Sequence, residues 1–240
     1  VGGDVLCYND LARAMAPYYS VYGIRSPALD DTAAGFETLE ALAVSYADHI
    51  QQVAEGPFRL LGQSLGGILA LAVARELEQR GQRVQAVVML DSFSPAHLRE
   101  RQSTGADLLG TALGVGLGAG NELTASPDLT ALYNNARQTG VLPEEMEWPQ
   151  FQRLYQVVQQ NHQLATQFDG PLPAAETLHF TARDNSSGEQ SGTSWQQLLP
   201  ALKSEPMPGG HETMMQDKFA TPLAERIHSL LSSFADPAQN

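Results

Sequence analysis

The residues of this 240-residue chain whose types and spacing could do chemistry gather around one serine. Gly62-Gln63-Ser64-Leu65-Gly66-Gly67 follows the apolar run Phe58 to Leu61. It precedes a stretch with helical apolar spacing through Leu69, Leu71, Ala72 and Val73. A serine hydroxyl on a sharp strand-to-helix turn needs small residues two places to either side so that the chains can pass, and Gly62 and Gly66 meet that need. The helix start adds partial positive charge, and the Leu65 amide can donate to an oxyanion. The predicted chemistry is nucleophilic acyl transfer, with Ser64 carrying the substrate as an ester. A chance G-x-S-x-G is expected roughly 0.1 times at this Gly and Ser content, so the motif is specific. The competing reading is a tight turn with an idle serine.

A serine at its free pKa is a weak nucleophile, so a histidine base and an acid orienting it should follow in the order Ser, acid, His. Six histidines compete. His49 and His228 fall in predicted helices, His179 in a predicted strand, and His97 and His162 in a helical middle region. His211 alone sits in a glycine-flanked loop, Pro208-Gly209-Gly210-His211-Glu212, between the last predicted strand and the last helix. Two aspartates could orient it, Asp91 after the run Val84 to Leu90 and Asp184 after Thr177 to Thr181. Both lie at carboxyl ends of strands, where ligands bind in open α/β sheets, so position alone does not separate them. The role demands a buried, fixed carboxylate, which favours Asp91, because Asp184 opens the polar run Asp184 to Thr193, read as a solvated surface loop. Near the start, Val1-Gly2-Gly3 precedes a helix, and glycines there let a backbone amide face the nucleophile as a second oxyanion donor.

These groups need a scaffold. Apolar runs at Val21 to Ile24, Phe58 to Leu61, Val84 to Leu90 and Thr177 to Thr181 read as buried strands. Helical patterns lie at Leu6 to Met15, Phe36 to Val53, Leu65 to Gln79 and Pro222 to Phe234. That alternation predicts a doubly wound α/β fold with a mainly parallel sheet covered on both faces. The rhythm breaks over 94–168, where helical stretches such as Trp148 to Phe168 predict an inserted lid; 1–93 and 169–240 form the core. Within the lid, Gly105 to Gly120 reads as a mobile apolar flap, with a GxxxG-like packing face as the alternative.

With 14 Lys+Arg against 27 Asp+Glu, the formal charge of −13 repels nucleic acid and anionic membrane surfaces. No run of eighteen apolar residues and no charged-then-apolar leader appears, so the chain reads as soluble and cytoplasmic, without a membrane partner. The lone Cys7 precludes an internal disulfide framework and reads as a small buried apolar residue. No dinucleotide loop, Walker loop or metal-ligand spacing is present, so no cofactor or metal is expected.

The chain resembles, over essentially its whole length, the terminal thioesterase domains of nonribosomal peptide synthetases and modular polyketide synthases. These are members of the α/β-hydrolase superfamily. The resemblance rests on Val1-Gly2-Gly3-Asp4-Val5-Leu6-Cys7-Tyr8 and Val21-Tyr22-Gly23-Ile24-Arg25-Ser26-Pro27, on Gln63 and Leu65 flanking Ser64, on Asn161, and on Gly210-His211-Glu212-Thr213-Met214-Met215. The separation of Ser64 and Asp91, 91 − 64 = 27, matches the family's placement of the acid after the sixth strand. The resemblance implies an α/β-hydrolase fold, Ser64, Asp91 and His211 as the catalytic residues, and Leu65 and Val1 as oxyanion amides. It also implies an upstream carrier domain delivering an acyl or peptidyl thioester on 4'-phosphopantetheine. Release would follow as macrocycle, oligomer or free acid, and the excised domain would be monomeric. A stand-alone editing thioesterase, a general serine esterase and a non-catalytic module on the same scaffold remain as other readings.

Overall fold

The computed structural model describes residues 2–29, 35–101, 103–113, 129–184 and 191–234. A four-stranded, all-parallel sheet in the order β1-β2-β3-β4 is built from Phe58–Gln63, Val84–Leu90, Glu176–Ala182 and Ser204–Met207. Helices α1 (Asn9–Met15), α2 (Leu39–Val53), α3 (Leu65–Gln79), α4 (Pro95–Glu100), α5 (Gly105–Ala112), α6 (Leu129–Gln138), α7 (Trp148–Gln167) and α8 (Asp217–Ser233) surround it.

β2 shows why its sequence is apolar without alternation. Val87 and Met89 join the core formed with α2 and α3, whereas Ala86, Val88 and Leu90 join the opposite core with α1 and α8. A strand covered on both faces gains from apolar side chains at every position. α3 crosses from β1 to β2 and ends where Gly81 takes φ +74, which lets the Gln82 amide turn back to the Leu77 carbonyl at 2.9 Å.

Three expectations are corrected. Val21 to Ile24 forms no strand: it joins no ladder, and Val21 and Tyr22 are exposed, because a β-branched run needs a neighbouring strand edge to pair with. Cys7 is exposed, since the short 3-10 turn Leu6–Tyr8 and the helix after it send Tyr8 and Leu11 inward instead. The last helix begins five residues earlier than read, with Pro222 inside it. β4 is an addition; its sequence, Ser-Glu-Pro-Met, carries no strand pattern, and it lies at the sheet edge, where a proline is tolerated.

Over 94–168 the regular elements among the described residues are helices, α4 to α7, joined by turns and irregular segments. α5, α6 and α7 enclose a small core of their own around Leu109, Leu132, Ala136, Leu142 and Phe151. The C-terminal part of α7 joins the main core through Leu164 and Ala165. Of the glycine-rich stretch, Gly105–Ala112 is the capped helix α5, and 114–120 lies outside the described residues. No helix among the described residues is long and apolar enough to cross a membrane.

Candidate active site

Ser64 stands between the end of β1 and the start of α3 at φ 55, ψ −126, a conformation that side chains rarely adopt and that turns the chain sharply. The glycines around it are required by space. A Cβ on Gly62 would lie 1.9 Å from the Gly66 carbonyl oxygen, and one on Gly67 would lie 2.0 Å from Ser92 Oγ. The first close approach makes the turn possible. The second brings the start of α3 against the residue that follows Asp91. Leu65 is the first residue of α3, so its amide belongs to the turn that has no acceptor within the helix. The Tyr8 hydroxyl accepts the Gln63 amide proton at 2.9 Å, and burial pushes the Tyr8 phenol's pKa well up, which keeps it neutral.

Asp91 closes β2 in a left-handed conformation, φ 43, which aspartate tolerates better than most side chains. Its amide extends the ladder by one bond, to the Phe180 carbonyl at 2.7 Å. The carboxylate is buried and well supplied with donors. Oδ2 faces His211 Nδ1 at 2.7 Å, while Oδ1 accepts from the Ser191 hydroxyl at 2.7 Å and the Ala182 amide at 3.1 Å. Burial alone would raise its pKa; the His211 hydrogen bond and charge, with the Ser191 and Ala182 donors, outweigh burial, and the net direction is down. Asp91 is therefore an ionised acceptor for Nδ1 of His211, and Nε2 is the ring nitrogen turned away from the acid.

The loop bearing His211 is anchored at several points. Gly209 at φ +100 accepts the Asp184 amide at its carbonyl at 3.1 Å, and the Gly209 amide donates to the Asp184 carboxylate at 3.0 Å. Asp184, the rival acid in the sequence, thus holds the loop of the histidine and not its ring. Met214 and Met215 behind the loop are fully buried. The Gln63 side-chain amide donates to the His211 carbonyl, tying this loop to the residue before Ser64. The structure thereby brings Ser64, Leu65, Asp91 and His211 to one end of the sheet, and Val1 lies outside the described residues.

Sequence reasoning missed Ser191. It falls inside the polar run read as a solvated loop, of which 185–190 lie outside the described residues, yet Ser191 itself is completely buried. The other histidines stand apart from this pairing. His179 is a buried ring on β3 whose Nδ1 meets Ser204 Oγ at 2.9 Å; burial lowers its pKa to about 4, so it is neutral near pH 7. A separate cavity of about 440 Å3, lined by residues including Ala28, Arg153, Val157 and Gln160 on the side of α7, includes none of the four site residues.

A family model described as Thioesterase domain matches residues 1–231. A Salinispora arenicola protein described as "Probable non-canonical nonribosomal peptide synthetase (NRPS) CymA" is 30% identical over 223 residues, which is 89% of this chain and 3% of that protein. Enterobactin synthase component F of Escherichia coli K12 is 34% identical over 105 residues, 42% of this chain and 8% of that protein. The chain thus spans only a small part of the curated relatives it matches. Among solved structures, a holo four-domain nonribosomal peptide synthetase aligns with TM-score 0.81 at 25% identity, covering 95% of this chain and 18% of that one. The NocB thioesterase domain of the nocardicin cluster aligns with TM-score 0.68 at 22% identity, covering 97% and 90%.

Proposed function

From the premise that this chain belongs to the thioesterase-domain family, we propose that it is a chain-releasing thioesterase. In this reading it accepts an acyl or peptidyl chain from the phosphopantetheine arm of an upstream carrier domain. The observation that carries the reading is the pairing of the buried Asp91 with the half-buried His211 at 2.7 Å, tethered through Gln63 to the strained turn of Ser64.

In this mechanism His211 Nε2 takes the Ser64 hydroxyl proton as Oγ attacks the thioester carbonyl. Asp91 holds the ring and offsets the charge of the imidazolium. The tetrahedral oxyanion is met by the Leu65 amide, with the Val1 amide proposed as the second donor. Collapse breaks the carbon–sulfur bond, and the imidazolium returns its proton to the departing thiolate, leaving an ester on Ser64. A second nucleophile then attacks that ester, its proton passing to His211 and on to Ser64 Oγ. Water gives a free acid; the chain's own distal amine or hydroxyl gives a macrocycle, and the same group on a second chain gives an oligomer. The helices over 94–168 act as a lid, and a lid that excludes water and folds the chain back favours the intramolecular route.

The test uses an N-acetylcysteamine thioester of a long acyl chain bearing a distal amine, with wild type and Ser64→Ala followed by intact mass and product analysis. A Ser64-dependent adduct is expected, with the product identifying the release route. A well-folded protein giving neither adduct nor product would refute the proposal.

A further inference from the structure

The short 3-10 turn Ser191–Trp195 reaches the acid loop at three places. The Ser191 hydroxyl donates to Asp91 Oδ1 at 2.7 Å, the Trp195 indole donates to the Ser92 carbonyl at 2.7 Å, and the Ser94 amide donates to Ser194 Oγ at 2.9 Å. The turn braces itself as well, with the Ser194 hydroxyl donating to the Ser191 carbonyl at 2.6 Å. Ser191 and Trp195 have no exposed surface, and neither do Asp91 and Ser92. One turn thus grips consecutive parts of the segment between β2 and α4, and Ser94 at its far end caps α4, accepting the His97 amide at 3.3 Å.

The acid needs this grip. Asp91 sits at φ 43 just beyond the last rung of β2, so the ladder fixes its amide but not its carboxylate. Of the two oxygens, Oδ2 faces the imidazole. The direction in which it points depends on what holds Oδ1, which accepts from a backbone amide at 3.1 Å and from a hydroxyl at 2.7 Å. The amide is rigid with β3. The hydroxyl is shorter and comes from a turn that is locked by Trp195 against the same loop.

We infer that the Ser191–Trp195 turn is a clamp for the acid, and that Ser191 is a positioning residue whose hydroxyl holds the Asp91 carboxylate in line with His211. The inference rests on the proposed roles of Ser64, Asp91 and His211, and the test separates the two. A fluorophosphonate probe reports the nucleophilicity of the serine without needing the natural substrate, so its labelling rate is measured against pH for the full chain, alongside thermal melting. Ser191→Ala is expected to slow labelling about ten- to a hundredfold, the worth of one hydrogen bond to a charged group expressed in rate. The acidic limb should also move to higher pH, because a carboxylate relieved of one donor holds the imidazolium proton more tightly. Ser191→Cys, which fills nearly the same space with a weaker donor, should fall between and keeps the test alive if the alanine variant folds poorly. Ser194→Ala, which loosens the turn through the brace and the bond to Ser94 but keeps the hydroxyl that meets Asp91, should lower the melting temperature and cost clearly less rate than Ser191→Ala, with a smaller shift of the pH limb. Wild-type rates and an unmoved limb in Ser191→Ala or Ser191→Cys would overturn the clamp, as would an equal loss of rate in Ser194→Ala. Labelling that survives Ser64→Ala would sink the assignment of the nucleophile, and the clamp with it.

Discussion

If the Ser64 turn stores strain, removing the side chain altogether should make the protein more stable than merely removing the hydroxyl. The comparison is Ser64→Gly against Ser64→Ala; both lack the nucleophile, so the lost hydroxyl cancels. At φ 55, ψ −126 a residue with a Cβ pays about 1–3 kcal/mol that glycine does not. Glycine gives back about 0.5–1 kcal/mol through its freer unfolded state. The difference leaves Ser64→Gly more stable by about 0.5–2 kcal/mol. For a domain of this size each kcal/mol moves the midpoint about 2–4 °C, so its Tm should exceed that of Ser64→Ala by about 1–8 °C. Scanning calorimetry on the two inactive variants in one buffer measures this directly, with circular dichroism confirming a common fold. A glycine variant melting at or below the alanine variant would refute the reasoning, because the backbone at Ser64 would then be no costlier for a side chain than any other.

Three further expectations follow from the same geometry. Gly67→Ala places a Cβ 2.0 Å from Ser92 Oγ and should cost about 1–3 kcal/mol in urea denaturation, with Ser92→Gly in the same chain recovering much of the loss; a silent Gly67→Ala contradicts the close approach. Gln63→Leu removes the donor to the His211 carbonyl and should slow Ser64 acylation about ten-fold with little change in Tm, measured by rapid-quench intact mass; an unchanged rate means the tether does not position the base. His179 is held to about 4 in the folded protein against the usual 6.5, so between those pH values the unfolded chain binds a proton that the folded one does not. Stability should therefore fall as pH falls through that window, by up to about 1.4 kcal/mol per unit from this one group, and His179→Gln should flatten the slope. Asp91, whose pKa is lowered, adds its own loss only further down, as pH falls through its folded value.

What was legible in the sequence was the part that local chemistry dictates. Leu65–Gln79 has the bounds that its apolar spacing gives, because a strained serine starts the helix and Gly81 stops it. The runs Phe58 to Leu61 and Val84 to Leu90 sit where both faces of a sheet bury them. Elements defined by pairing were not legible. Val21 to Ile24 has strand residues but no ladder, whereas Ser204–Met207 has a ladder but no strand residues. The site divides in the same way. Ser64, Asp91 and His211 stand out by motif, by position after a strand and by glycine flanks. Ser191 does not, because a serine in a run of small polar residues looks like solvent-exposed loop until the fold sets it beside a buried carboxylate. Gln63 was visible as a neighbour of the serine, but its reach across 148 residues to the His211 carbonyl was not.

The double allegiance of α7 bears on how such domains can be recombined. Its Phe151 belongs to the small core shared with α5 and α6, while its Leu164 and Ala165 belong to the main core. An exchange of the helical segment with that of a relative, made at Phe168, would pull Leu164 and Ala165 out of a cavity shaped for them and replace them with side chains fitted to another scaffold. The natural joint for a chimera lies within the helix, between Val158 and Leu164, where the donor's Phe151 end can travel with its own partners and the host keeps its own anchor.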